Sequence, residues 1–159
     1  MPVIAVDAMG GDFAPEEIVK GVANASLATA IECVLVGDEP RIQAVLDTLS
    51  YNPAHIRIHH AAEAIGMLES PREALRAKRD ASIAVGASLV ATGQAEALVS
   101  AGNTGACLLA CAREFRTIKG VRKPALASVY PRHTEHAGQD ELALLLAVGA
   151  TIRCDAADL

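Results

Sequence analysis

At 159 residues, 52% of them apolar, the chain is long enough for one domain with a hydrophobic core, yet it holds only two Tyr, two Phe and no Trp. A formal net charge of −5 and so few aromatic side chains argue against a nucleic-acid binder, which needs a basic stripe and stacking platforms. No apolar run reaches the roughly 18 residues of a membrane span, and Asp7 interrupts an N-terminal run that lacks a basic flank, so a cytoplasmic location is the default expectation.

Val3–Val6 is a β-branched apolar run ending at Asp7, the pattern of a buried strand. Asp7-Ala8-Met9-Gly10-Gly11-Asp12 follows as a loop. Pro15-Glu16-Glu17 then opens a helix to about Thr29, with Pro in its first turn and acids at the positive end of its dipole. Ile18, Val22, Ala25 and Ala28 or Thr29 are its expected apolar side. Glu32–Val36 reads as a second strand, Pro40–Leu49 as a helix striped by Ile42, Val45, Leu46 and Leu49, and Ile56–His60 as a third strand. Strand, helix, strand, helix, strand is the order of right-handed crossovers and a parallel sheet.

Ser70-Pro71-Arg72-Glu73 has the spacing of a capping box with Pro at the first helical position. Arg72, Arg76, Lys78 and Arg79 make this helix basic, which suits either a solvated face or neutralisation of a phosphate. Ser82 leads an apolar stretch to Thr92, and Ala97–Val99 is a short strand. That strand runs into Ser100-Ala101-Gly102-Asn103-Thr104-Gly105 and then into the helix Ala106–Phe115. Lys119–Lys123 is a basic turn, and strands are expected at Ala125–Tyr130 and Leu142–Val148. With no linker or repeat, residues 1–159 read as one α/β domain.

Ligands of an open parallel sheet bind beyond the carboxyl ends of its strands, where both glycine loops fall. Gly10, Gly11, Gly102 and Gly105 let a ligand approach the backbone, and a helix N-terminus offers unpaired N–H groups. Ser100, Asn103 and Thr104 add side-chain donors. Two readings stay open: an anion cradle, or tight strand–helix turns with Asn103 or Thr104 as a simple cap. Asp7 and Asp12 either contact a ligand or satisfy the first loop and the helix after it. Neither a dinucleotide fingerprint nor a GxxxxGK[ST] loop is present, so no nucleotide cofactor is expected.

Cys33, Cys107, Cys111 and Cys154 read as small buried residues, with Cys107 and Cys111 on one helix face. They offer no CxxC pair, and no metal is expected. His59 and His60 point to opposite faces of a strand, His133 and His136 lie in a polar stretch, and none is given a role.

Four blocks in order resemble the bacterial phosphate acyltransferase (PlsX) family. They are Val3-Ile4-Ala5-Val6-Asp7-Ala8-Met9-Gly10-Gly11-Asp12-Phe13-Ala14-Pro15, Val34-Leu35-Val36-Gly37-Asp38, the basic segment Glu69–Ser82, and Val99-Ser100-Ala101-Gly102-Asn103-Thr104-Gly105-Ala106. The resemblance runs from Pro2 to about Tyr130. It implies a Rossmann-like α/β/α sandwich related to phosphotransacetylases and isopropylmalate dehydrogenases. It also implies transfer of a fatty acyl group from acyl carrier protein to inorganic phosphate, without a cofactor, by a homodimer working near the membrane. On that reading Ser100 and Asn103, with Thr104, hold phosphate or the oxyanion. Lys78 and Arg72 compensate charge, and Asp7 and Asp12 shape the first loop.

The family's chains are about twice as long, and beyond Tyr130 this sequence departs from their pattern. Its last apolar run ends Ala147-Val148-Gly149-Ala150-Thr151 where the family has Asp-x-Gly-Ala-Asn. A fragment of an active enzyme, a degenerate homologue and a short form with an anion- or carrier-binding role all fit that departure. A short-chain enzyme of the phosphotransacetylase type is the other enzymatic reading.

Overall fold

The computed structural model describes residues 1–120, 126–131 and 142–146. They fall into two compact units, 1–115 and 116–159. The first unit runs β1 (Val3–Asp7), α1 (Glu16–Ala28), β2 (Glu32–Gly37), α2 (Glu39–Leu46), β3 (Ile56–His60), α3 (Pro71–Ala77), α4 (Ser82–Ala91), β4 (Ala97–Val99) and α5 (Thr104–Glu114). Its sheet has the order β3-β2-β1-β4 with every pair parallel. In the second unit β5 (Ala127–Pro131) pairs antiparallel with β6 (Leu142–Leu146). The remainder of the expected strand Leu142–Val148, the 147–151 segment, His133, His136 and Cys154 lie outside the described residues.

Strand periodicity explains the layers. Successive side chains alternate in direction, so one strand feeds two cores. Ile4 and Val6 of β1 with Cys33 and Leu35 of β2 pack with Val19 and Val22 of α1 and Ile42 and Leu46 of α2. Val3 and Ala5 with Val34 and Val36 pack on the other side with Val85, Leu89 and Val90 of α4. A parallel sheet covered on both faces is the expected α/β architecture. A third cluster joins Ala74 and Leu75 of α3, Ile83 and Ala87 of α4, and Ala106 and Ala110 of α5. Its small residues allow close approach; a Cβ on Gly86 would stand 2.7 Å from Leu98 Cδ1.

Three local expectations change. The apolar side of α1 is Val19, Val22, Ala23 and Ser26, one position round from the stripe through Ile18 and Ala25. Pro15 precedes the helix rather than occupying its first turn, and its carbonyl accepts the Val19 N–H. Ser70 precedes α3, but its side chain makes no capping bond, so the capping box does not form.

Candidate functional site

The two glycine loops leave neighbouring strands. Strand β1 continues through α1 to β2 on one side, while β4 flanks β1 on the other. With α1 and α4 on opposite faces, the β1/β4 crevice is the point where the winding reverses. Val6 and Val99 are in register, so Asp7 and Ser100, one residue further on, come level at the strand ends.

Alternation turns Asp7 toward the α4 side with Val3 and Ala5, where it is 2% exposed. Ser82 Oγ, on the first residue of α4, donates to Asp7 Oδ1 at 2.6 Å. Ser100 Oγ donates to Asp7 Oδ2 at 2.7 Å and accepts the Gly102 N–H at 3.0 Å. One carboxylate thus ties β1, α4 and the second glycine loop together.

The loops touch. A Cβ on Gly10 would lie 2.4 Å from Asp7 Oδ2 and 2.9 Å from the Gly102 nitrogen, so only glycine fits without movement. Gly11 has φ +114°, a conformation that glycine adopts readily. Asp12 is exposed next to it.

Asn103 caps α5. Its Oδ1 accepts the Ala106 N–H at 3.1 Å. Its Nδ2 faces three carbonyls, those of Gly66, Met67 and Glu69, at 3.3, 3.2 and 3.1 Å. Lys78 Nζ donates to the Ala64 carbonyl at 2.8 Å and pairs with Glu69 at 2.6 Å. The Lys78 ammonium, with the Gly66 N–H, holds the Glu69 carboxyl below its ordinary value of 4.5. Gly105 lies against α3, where a Cβ would stand 2.7 Å from Pro71 Cγ.

These bonds occupy several of the expected donors. Ser100, Asn103 and Lys78, read from sequence as groups facing the anion, are engaged within the protein. Thr104 is exposed at the first position of α5, where the leading N–H groups lack intrahelical acceptors. Arg72 is exposed one residue after the Pro71 that packs on Gly105. The basic segment is not one patch: Arg79 lines a separate cleft of about 360 Å³ with His59 and Arg113. Sequence reading missed the part Ser82 plays at Asp7 and the turn held by Asn103. A serine opening an otherwise apolar helix is the only signal for the first, and the second has none.

Cys107 and Cys111 share a face of α5. A hydrogen bond from Cys111 lowers the Cys107 thiol to about 7, against the opposing effects of burial and the Asp7 charge. The same bond, together with burial, raises Cys111.

A family model described as fatty acid synthesis protein matches residues 2–159, so the similarity continues beyond Tyr130. A phosphate acyltransferase of Oleidesulfovibrio alaskensis is 42% identical over 154 residues, 97% of this chain and 43% of its own. One from Trichlorobacter lovleyi is 42% identical over 98% of this chain and 44% of its own. One from Desulfitobacterium hafniense (strain DSM 10664 / DCB-2) is 47% identical over 92% and 42%. The chain therefore spans less than half the length of these relatives. Among the described residues no helix is long and apolar enough to cross a membrane.

Proposed function

Because the chain belongs to the fatty acid synthesis protein family, we propose that its glycine crevice holds inorganic phosphate for acyl transfer. The acyl donor in this reading is the thioester of acyl carrier protein, and the product is acyl phosphate. A phosphate oxygen attacks the thioester carbonyl, and a tetrahedral oxyanion forms. The C–S bond then breaks, and the thiolate leaves and takes up the proton that phosphate releases. Phosphate is itself a competent nucleophile, so no covalent enzyme intermediate is required. The observation that carries this reading is the junction of two glycine loops and a helix N-terminus at the β1/β4 crevice, fixed by buried Asp7.

The α5 amides of Thr104 and Gly105 and the Thr104 hydroxyl meet the anion, in a place where the helix dipole favours negative charge. Arg72 adds charge from the first turn of α3. Ser100 and Asn103 are positioning residues: they set the second loop and the helix start rather than touch the reacting atoms. Gly10 and Gly102 keep the crevice open, Gly11 and Asp12 shape its first wall, and Lys78 acts through Glu69. A homodimer in the cytoplasm, working beside the membrane from which its product is used, completes this reading.

Calorimetry with inorganic phosphate, run beside phosphorus NMR of acyl phosphate formation on the same preparation, tests it. Saturable binding with product supports the enzyme, and binding without product leaves an anion-holding role alone. Thr104→Val removes a hydroxyl donor to a charged group and is expected to weaken phosphate about tenfold. Absence of phosphate binding rejects the proposal.

A further inference from the structure

Residues 66–69 form a tight turn beside the start of α5. The Glu69 N–H donates to the Gly66 carbonyl at 3.2 Å, and the Gly66 N–H donates to Glu69 Oε1 at 2.7 Å. Its corners are Met67, 44% exposed, and Leu68, fully exposed. Turn corners ordinarily take Gly, Pro, Asn, Asp or Ser; here Leu68 is wholly in solvent and Met67 keeps nearly half of its surface there.

The turn is nevertheless held firmly. The Asn103 amide binds its Gly66, Met67 and Glu69 carbonyls, and Lys78 clamps Glu69 and the Ala64 carbonyl before it. Asn103 is buried and also caps α5. One side chain therefore fixes the distance between an exposed apolar tip and the helix end that faces the anion. Phe13, on the first glycine loop, is a further large apolar side chain in solvent, 76% exposed.

We propose that Met67 and Leu68 are the acyl-chain contact of this site, so that an alkyl tail lies across the turn while its head group sits at the start of α5. This inference rests on the phosphate–acyl reading above. The occupant follows from the anchoring, because a surface tied to the anion end by a single residue meets the part of the ligand next to the anion. A substrate with a charged head and an alkyl tail has that shape.

The test is calorimetry on the whole chain with inorganic phosphate, butyl phosphate and octyl phosphate below micellar concentration, for the native protein and for Met67→Ser and Leu68→Ser. Both side chains are on the surface, and circular dichroism checks that each variant folds. The readout is the ratio of octyl phosphate to inorganic phosphate affinity. Partial burial of the longer tail is expected to make that ratio about ten or more in the native protein, and Leu68→Ser to remove most of the gain. A native ratio near one, with inorganic phosphate still bound, overturns this inference and leaves the phosphate site standing. A ratio that Met67→Ser and Leu68→Ser both leave untouched overturns it too. Loss of binding to phosphatidylglycerol vesicles in Leu68→Ser, at an unchanged ratio, would make the turn a lipid-surface contact and likewise overturn it. If inorganic phosphate does not bind at all, the parent reading fails, and this inference with it.

Discussion

Asp7→Ala is the most informative single change. The carboxylate accepts from Ser82 at 2.6 Å and Ser100 at 2.7 Å. Hydrogen bonds to a charged group contribute about 1.5–3 kcal/mol each, and a buried donor left without a partner loses that in full. Ser82 is 2% exposed and stands at that limit, whereas half-buried Ser100 recovers part of its loss to water. The expected destabilisation is therefore about 3 kcal/mol, a large share of the 5–15 kcal/mol typical of a domain. Urea unfolding followed by far-UV circular dichroism should show a midpoint lower by roughly 1–2 M. A double-mutant cycle with Ser82→Ala isolates the pair, because removing the donor as well relieves the unsatisfied hydroxyl. The coupling should be at least about 1 kcal/mol. Loss below about 1 kcal/mol for Asp7→Ala, or strict additivity in the cycle, would refute the view that this carboxylate joins the strand, α4 and the second loop.

The other predictions concern contact and titration. Gly10→Ala places a Cβ against the Asp7 carboxylate and the Gly102 backbone, so it should cost about 1–3 kcal/mol and abolish phosphate binding. The matched control Gly21→Ala, with nothing within 4 Å of its Cβ in α1, should instead gain up to about 1 kcal/mol; thermal melts of both variants make the comparison. Iodoacetamide alkylation of Cys107, followed by mass spectrometry, should rise with a midpoint at about pH 7, and Cys111→Ala should move it up toward 9.0. Since folding favours the Cys107 thiolate, its contribution to stability is complete above pH 9.0 and is lost as pH falls through about 7. A native profile already centred at 9.0 would remove the Cys111 hydrogen bond from the account.

The fold was legible because its signals are local. The continuous apolar runs in Val3–Val6 and Glu32–Val36, with helical patterns between the strands, specify parallel crossovers without reference to distant residues. The apolar side of α1 was misplaced by one position because Ser26, a polar residue, is on the buried side. Its hydroxyl is satisfied by the Ala23 carbonyl and the Asn52 N–H, a partner 26 residues away. Ser70 has the spacing of a cap, but spacing does not decide which groups compete for the helix start. The site was legible as two loops and illegible as a network. Which hydroxyl reaches Asp7 depends on the register of β1 with β4 and on where α4 starts, 75 residues along the chain.

Side chains that look like ligand donors in the sequence are here the frame of the crevice. Ser100 donates to Asp7, and the Asn103 amide is shared among three carbonyls. Around this frame the two glycine loops touch, with the Gly102 nitrogen 2.9 Å from where a Cβ on Gly10 would stand, and α5 begins with amides that lack intrahelical acceptors. Backbone donors carry no side-chain entropy to lose, and their direction is set by the helix, so they suit the anion and the acyl transfer proposed above. A site of this kind also responds to substitution in a characteristic order. Adding a single methyl at Gly10 intrudes on the contact surface itself. Trimming Ser100 or Asn103 acts only through the positions of loops that other bonds still hold. Sensitivity concentrated at the glycines, with graded effects at the polar residues, therefore distinguishes an anion held by the backbone from one held by side chains.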